Sequence, residues 1–553
     1  QTLQRSVNAF ESALHEYFHQ SAAASKEENH VRFDDRFDWL LYRLPEGETS
    51  LRHELEEGRS VFAALAGIHW DGSLYERLHP KDRFSRTLAA ITSWIRAESL
   101  LAPVVIHLED AQWADVDTQR AVQAISGLCA AGAPIAVLCS ARYRDDGAPF
   151  RIEVAHDVSR AEIALGPLAH EEIGRIADNA AGRRVPDLFR ALLLEHAGGN
   201  PFYTEELVAY WADAGAQPGV SDTSVSSLSV ALLPRDVNSI LIARLDRLPA
   251  PIKSTVLAAA VLGKEFDVRI LAHMVDARAE LESRVHAAEV QRIWTSTDGV
   301  FYRFRNTLLR NAAYEIQARA RLQRLHFRAA EAILLVHGGD LDGFFAVLAR
   351  HYRRADAPDS ARQYYLRAAR QATKRWALAE AKRMYRGYLR LTRSPTPESI
   401  VARYEFARDV LEVAGEVSRA REEHDLVVTE AQKLGDTNSE ALGWLGLGRV
   451  RWVREQLDEA ERCLEQAINL SRTARNRWTE SRVLAHLALV YGDRGQTAEA
   501  LAIFEGAVRT GVALGVRDEA TIFGGIVHHF TTEGSIAESF VIYQQAMKLR
   551  RGA

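Results

Sequence analysis

Two five-residue runs, Val104-Val105-Ile106-His107-Leu108 and Ile135-Ala136-Val137-Leu138-Cys139, most constrain what this chain can fold into. Apart from His107 both are apolar throughout, which is how strands of a buried parallel sheet read. Pro103 introduces the first, Gly132-Ala133-Pro134 introduces the second, and residues 117–128 between them carry helical spacing. Strand, helix and strand in that order imply a right-handed crossover with the strands side by side. Glu109-Asp110 and Ser140-Ala141-Arg142 would then share one carboxyl edge, where open α/β sheets bind ligands. Phe84, Leu88, Ile91 and Ile95 repeat at helical spacing just upstream, so the region reads as α/β.

An apolar strand ending abruptly in two acids has the pattern of the metal-binding strand of a P-loop NTPase. The matching phosphate loop, G-x-x-x-x-G-K-[ST], occurs nowhere in the 553 residues. Gly263-Lys264, the one Gly-Lys pair, is followed by Glu265 and lacks the earlier glycine. Gln1 is not an initiator Met, and residues 1–18 read as helix rather than leader. The expectation is a fragment of a longer protein whose phosphate loop lies upstream.

With 553 residues, 47% hydrophobic and 26% charged, the chain predicts about three or four globular domains. No apolar run approaches the ~18 residues that span a bilayer, so a soluble, cytoplasmic protein is expected. Cys129, Cys139 and Cys463 lack C-x-x-C spacing, which argues against a disulfide framework or a zinc site. A net charge of −5 argues against wholesale binding to a nucleic-acid backbone.

The organisation then changes along the chain. Gly198-Gly199 ends one helix and Asn200-Pro201 starts another, giving a small helical lid. Residues 214–230, rich in Ser, Gly, Ala and Thr, read as a linker. Helical patterns return beyond Leu233-Pro234, and residues 293–304 alternate around the hairpin signal Asp298-Gly299; three helices plus a hairpin make a winged helix. Beyond about residue 340 the small residues Ala420, Ala460 and Ala500 recur 40 apart, with Ser539 39 further on. Trp444, Leu447, Gly448, Ala460, Leu464 and Ala467 match a tetratricopeptide-like pattern, which returns in Leu484, Leu487, Tyr491, Ala500, Phe504 and Ala507. Leu348, Tyr352, Ala361, Tyr365 and Ala368 form an earlier, irregular unit. The repeat exceeds the usual ~34 residues, so its helices should be longer than standard. The predicted fold is α/β followed by all-α. It comprises a partial P-loop NTPase parallel sheet (1–165), a helical lid and linker (166–229), a winged helix (230–335) and a tetratricopeptide-like α-solenoid (336–553).

Taken together, five blocks in order resemble the STAND class of signal-transduction P-loop ATPases, in its bacterial branch related to AAA proteins and maltose-type transcription activators. They are Leu108-Glu109-Asp110-Ala111-Gln112-Trp113-Ala114-Asp115; Gly199-Asn200-Pro201-Phe202; Leu233-Pro234 with Arg244-Leu245-Asp246-Arg247-Leu248; Val261-Leu262-Gly263-Lys264-Glu265-Phe266; and Phe304-Arg305-Asn306-Thr307-Leu308-Leu309 with Ala313-Tyr314. By that resemblance Glu109 and Asp110 occupy the Walker B positions, one holding a water of Mg²⁺ and the other polarising the attacking water. Which acid does which stays open, and the alternative is a strand end whose acids favour a helix N-terminus. Arg142 matches the sensor of a γ-phosphate, against a plain surface arginine. Pro201 matches an adenine-side contact, against simple capping. Asn306 stands where the family commonly has a diphosphate-sensing His, against a helix-start residue. Trp113 and Asp115 are expected to pack and to cap a helix, and His107 to be a core histidine.

The implied function is an ATP/ADP-dependent switch with Mg²⁺, in which the repeats receive a protein or peptide and self-association is possible. A fragment without the phosphate loop would bind adenine nucleotides weakly and hydrolyse ATP poorly or not at all. The alternative is a non-enzymatic tetratricopeptide scaffold with a degenerate ATPase domain. Direct DNA contact through Arg303, Arg305, Arg310, Arg319, Arg321 and Arg324 is disfavoured, because such spacings usually mark a solvated helix face.

Overall fold

Ser25 accepts the N–H of Glu28 and Glu28 returns a carboxylate oxygen to the N–H of Ser25, at 3.1 and 2.8 Å, so the helix Lys26–Arg43 begins in a capping box. Local chemistry of this kind sets up a mostly helical chain with five short strands among the residues described. The computed structural model describes residues 8–512 except 21–23, 69, 71, 79, 144–147, 216–236, 277 and 340. Most of the predicted linker, Leu233-Pro234 and Ser539 lie outside the described residues. The chain divides into two compact units, Gln1–Ala357 and Pro358–Ala553.

In the first unit the helices Asn8–Tyr17, Lys26–Arg43, Thr49–Leu65 and Pro80–Leu101 supply one apolar core. Phe18, Phe33, Phe37 and Phe62 are fully buried there, with ring centroids 4.5 Å apart for Phe18–Phe33 and 5.6 Å for both Phe33–Phe37 and Phe37–Phe62. Burying each such ring stabilises the fold by about 1.5–3 kcal/mol. Against this core lie strands β1 (Val104–Leu108) and β2 (Ile135–Cys139), paired in parallel with Val104 opposite Ile135 and Leu108 opposite Cys139. The helix between them, Val116–Ala130, makes the crossover read from the sequence.

Only one face of the β1–β2 pair is covered among the described residues. Val104, Ile106, Ile135 and Val137 pack on the helical core, whereas Val105 and Leu138 are 70% and 55% exposed. His107 shares the open face and is exposed, so the expectation of a core histidine is wrong. The cause is the two-residue period of a strand: Ile106 and Leu108 turn inward and His107 turns out.

Further along, the helix Pro201–Gly215 runs into the predicted linker. Beyond it the helices Ala250–Leu262, Val268–Met274 and Leu281–Val290 accompany a three-stranded antiparallel sheet of order β3-β5-β4, with β3 Glu265–Asp267, β4 Trp294–Ser296 and β5 Phe301–Phe304. At the β4–β5 turn the Asp298 carboxylate accepts the N–H groups of Val300 and Phe301 at 3.0 and 2.7 Å, and Gly299 takes φ 82°, which a glycine meets without strain. Trp294 is fully buried and donates its indole N–H to the Val285 carbonyl at 3.1 Å.

The second unit is a stack of tetratricopeptide-like helix pairs. Thr437–Val453, Leu457–Thr473 and Arg477–Asp493 are 17 residues each, and Thr497–Val512 follows. The long repeat therefore resides in long helices, as expected. Left-handed residues punctuate them at Gly415, Gly435, Glu455, Arg475 and Gly495, one every 20 residues. Ala420, Ala460 and Ala500 are buried, each as the fourth residue of its helix, so the 40-residue recurrence follows the spacing of equivalent helices. No helix among the described residues is long and apolar enough to cross a membrane.

Candidate functional site

Leaving β1, the chain turns at Asp110, whose φ of 52° is left-handed. For an L-residue this costs about 1–2 kcal/mol, least for Asp and Asn. The turn lets the N–H of Ala111 reach the carbonyl of Ser140 just past β2, at 2.8 Å, while the N–H of Ser140 bonds the Leu108 carbonyl at 3.0 Å. The two strand ends are thereby tied at their carboxyl edge.

Three side chains meet there. Gln112 donates its amide to Asp110 Oδ1 at 3.0 Å and accepts the N–H of Arg142 at 3.1 Å. The Arg142 guanidinium lies 4.0 Å from Asp110, the outer limit of an ion pair. With Arg142 77% exposed, such a pair contributes about 0–1 kcal/mol, so the guanidinium can leave it at little cost. Glu109 is exposed and makes no hydrogen bond or ion pair among the described residues. Asp115 caps the following helix by accepting the Thr118 N–H at 2.5 Å, whereas Trp113, expected to pack, is 58% exposed.

The structure thus brings Asp110 and Arg142 together, with Glu109 beside them in sequence. Gln112 was missed by sequence reasoning although it lies inside the quoted block, because its bridging role depends on a residue 30 positions away.

Pro201 and Asn306 have no hydrogen bond or ion pair to this cluster among the described residues. Pro201 is exposed at the first position of its helix, where Asn200 accepts the Tyr203 N–H at 3.2 Å. Gly199 is obligatory there: at φ 77° a Cβ would lie 2.5 Å from Pro167 and 2.9 Å from the Leu168 nitrogen. Asn306 caps the helix Thr307–Glu315, its side-chain oxygen accepting the Leu308 N–H at 2.6 Å. Among the arginines weighed for DNA, Arg303 pairs with Glu265 and Arg310 is packed 5.1 Å from the Tyr314 ring.

No protein-family model matches the chain. An uncharacterised protein of Rhizobium meliloti is 26% identical over 341 residues, 58% of this chain. The alignment spans 31% of that relative, about a third of its length. Among solved structures, the chain is similar to a STAND protein with a tetratricopeptide repeat sensor from Pyrococcus horikoshii (12% identity, TM-score 0.33, 91% of this chain and 75% of that one). It is also similar to a Rap protein complexed with competence and sporulation factor (10% identity, TM-score 0.27, 69% of this chain and 98% of that one). At these TM-scores neither likeness bears on function.

Proposed function

We propose that this chain is part of a nucleotide-dependent signal-transduction switch of the STAND type, its first unit handling ATP or ADP with Mg²⁺ and its repeats receiving a protein or peptide. The observation that carries the reading is the meeting of Asp110 and Arg142, 4.0 Å apart, where two parallel strands end. Carboxylate oxygens are the donors Mg²⁺ prefers, and an ion that keeps most of its waters needs only one or two of them. Glu109 and Asp110 fit that demand. When bound, Mg²⁺ would neutralise charge on the β- and γ-phosphates.

The chain's own residues then divide the work. Glu109, unengaged among the described residues, is available to the ion or to a water. Asp110 is oriented by Gln112, and Arg142 is loosely held and able to turn from Asp110 to a γ-phosphate oxygen. Under this reading Pro201 contacts the adenine side, Asn306 the diphosphate side, and the three helices with the β3-β5-β4 sheet serve as a winged helix that closes over ADP.

The test is titration of Mg²⁺–ATP and Mg²⁺–ADP into the full chain and its E109Q, D110N and R142A variants. Weak binding is expected, since the sequence holds no G-x-x-x-x-G-K-[ST] loop, and each variant should weaken it further. Equal binding by variants and parent would sink the reading. It would favour the second one, a protein-interaction scaffold, for which the regular helix pairs of the second unit speak.

A further inference from the structure

A cavity of about 270 Å³ opens among the first three helices of the second unit. Pro358–Lys374 lines it with Arg362, Leu366, Arg367 and Arg370, Leu378–Leu391 with Tyr388, and Pro397–Phe406 with Glu398 from its first turn. The four residues of the first helix stand at i, i+4, i+5 and i+8, which is one helix face. Leu366 and Tyr388 are buried, whereas Arg367, Arg370 and Glu398 are exposed, so the cavity has an apolar floor and a charged rim.

The rim is rich in donors that the chain uses sparingly. A guanidinium carries five N–H donors in a planar fork. Arg370 gives its Nε–H to Glu405 at 2.9 Å. Arg362 stands 3.6 Å from Asp359, beyond a hydrogen bond, and Asp359 is 94% exposed, so water screens that pair. Arg367, between them on the same face, lies 5.5 Å from the Tyr364 ring centroid. Glu398 makes no hydrogen bond or ion pair among the described residues. Its charge at the rim opposes a phosphate dianion or a second acid, and leaves a single carboxylate as the anion that fits. A carboxylate is planar and takes two parallel N–H bonds from one guanidinium.

We propose that this cavity receives one carboxylate of a peptide, held by Arg362 and Arg370 with Arg367 beside them, an occupant that rests on the repeats being the part that receives a peptide. The aliphatic stem carrying the carboxylate lies on Leu366 and Tyr388. Glu398 selects against a second negative charge. The site lies wholly in the second unit and needs no nucleotide.

The test uses three small probes with the full chain at pH 7 and constant ionic strength, read by saturation-transfer NMR. N-acetylglutamate α-amide carries one side-chain carboxylate, N-acetylalanine carries one terminal carboxylate, and N-acetylglutamine amide carries none. Saturable binding at about millimolar affinity is expected for a carboxylate probe, the tighter of the two naming its source, and none for the neutral one. R362Q should weaken binding about tenfold, as for other hydrogen bonds to charged groups, with an unchanged melting temperature. R370K keeps a cation beside Glu405 but loses the fork, and should weaken binding about threefold or more. E398Q should tighten it about twofold by removing a like charge. Absence of binding by both carboxylates, equal binding of the neutral probe, unchanged affinity in R362Q and R370K, or weaker binding in E398Q overturns the proposal. None of these outcomes touches the nucleotide titrations of E109Q, D110N and R142A, so the switch and the cavity stand or fall separately.

Discussion

A Cβ placed on Gly446 would lie 2.2 Å from Nδ1 of His424. The imidazole cannot retreat, because its Nε2 is bonded to Glu412 at 2.8 Å and it is fully buried. Glycine at 446 is therefore a packing requirement between the helices Val417–Leu434 and Thr437–Val453 rather than a backbone one. G446A should destabilise the second unit by about 1–3 kcal/mol, the usual cost of overpacking a rigid site. Urea unfolding of the variant checks this, and an unchanged midpoint would show that the helices can part freely.

The left-handed turn positions behave differently. Gly435 adopts φ 67° and a Cβ there would meet nothing within 4 Å, so G435A should cost only the backbone term, about 1 kcal/mol. Glu455 and Arg475 take φ 60° and 51° at equivalent positions and bear that strain already. E455G should accordingly stabilise the unit by about 0.5 kcal/mol, the relief of strain less the greater freedom of glycine in the unfolded chain. A thermal melt in which E455G falls below the parent would mean that the Glu455 side chain contributes more than its backbone costs.

A third expectation concerns pH. In the first unit Arg354 donates to the Tyr314 hydroxyl at 2.8 Å, Tyr314 donates to His326 Nε2 at 2.9 Å, and His326 Nδ1 lies 2.9 Å from His351 Nδ1. Both imidazoles must be neutral for this chain of bonds to close. Burial first, then Arg354, Arg350 and Arg310, push His326 down to about 3; burial, His326 and Arg350 lower His351. Between that value and the ordinary 6.5 the unfolded chain binds a proton that the folded one refuses, so stability falls as pH falls. At pH 5 His326 alone should cost roughly 2 kcal/mol relative to pH 7.5. Denaturant unfolding at the two pH values should show this loss in the parent and a smaller one in H326Q; equal losses would place the acid sensitivity elsewhere.

Particular residues show why some of this was legible and some not. Strands β1 and β2 could be read because Pro103 and Gly132-Ala133-Pro134 isolate short, almost wholly apolar runs, and the β4–β5 turn because Asp298-Gly299 is a local signal. The helix pairs announced themselves through Ala420, Ala460 and Ala500, which hold the same buried position in equivalent helices. Strand β3, three residues reading Glu-Phe-Asp, is too short for its alternation to mark a strand and is defined by its pairing with β5. The same limit hid Gln112, whose bridging role depends on what another segment places beside it; side-chain periodicity along one element contains no such information. His107 is the opposite case, since the two-residue period of its own strand turns it outward.

The last expectation separates two roles of one residue. Asn306 caps its helix through a single oxygen that accepts the Leu308 N–H at 2.6 Å, a task that Asp performs equally well. N306D should therefore keep the melting temperature, while N306A should lose about 1 kcal/mol. If Asn306 also faces a diphosphate, as the proposed switch requires, the added carboxylate of N306D repels it. ADP affinity should then drop severalfold without loss of stability, whereas ADP affinity unchanged in N306D confines Asn306 to the cap. Melting curves of both variants, paired with ADP titrations, read the two roles independently, because one follows the hydrogen bond to Leu308 and the other the charge at the helix start.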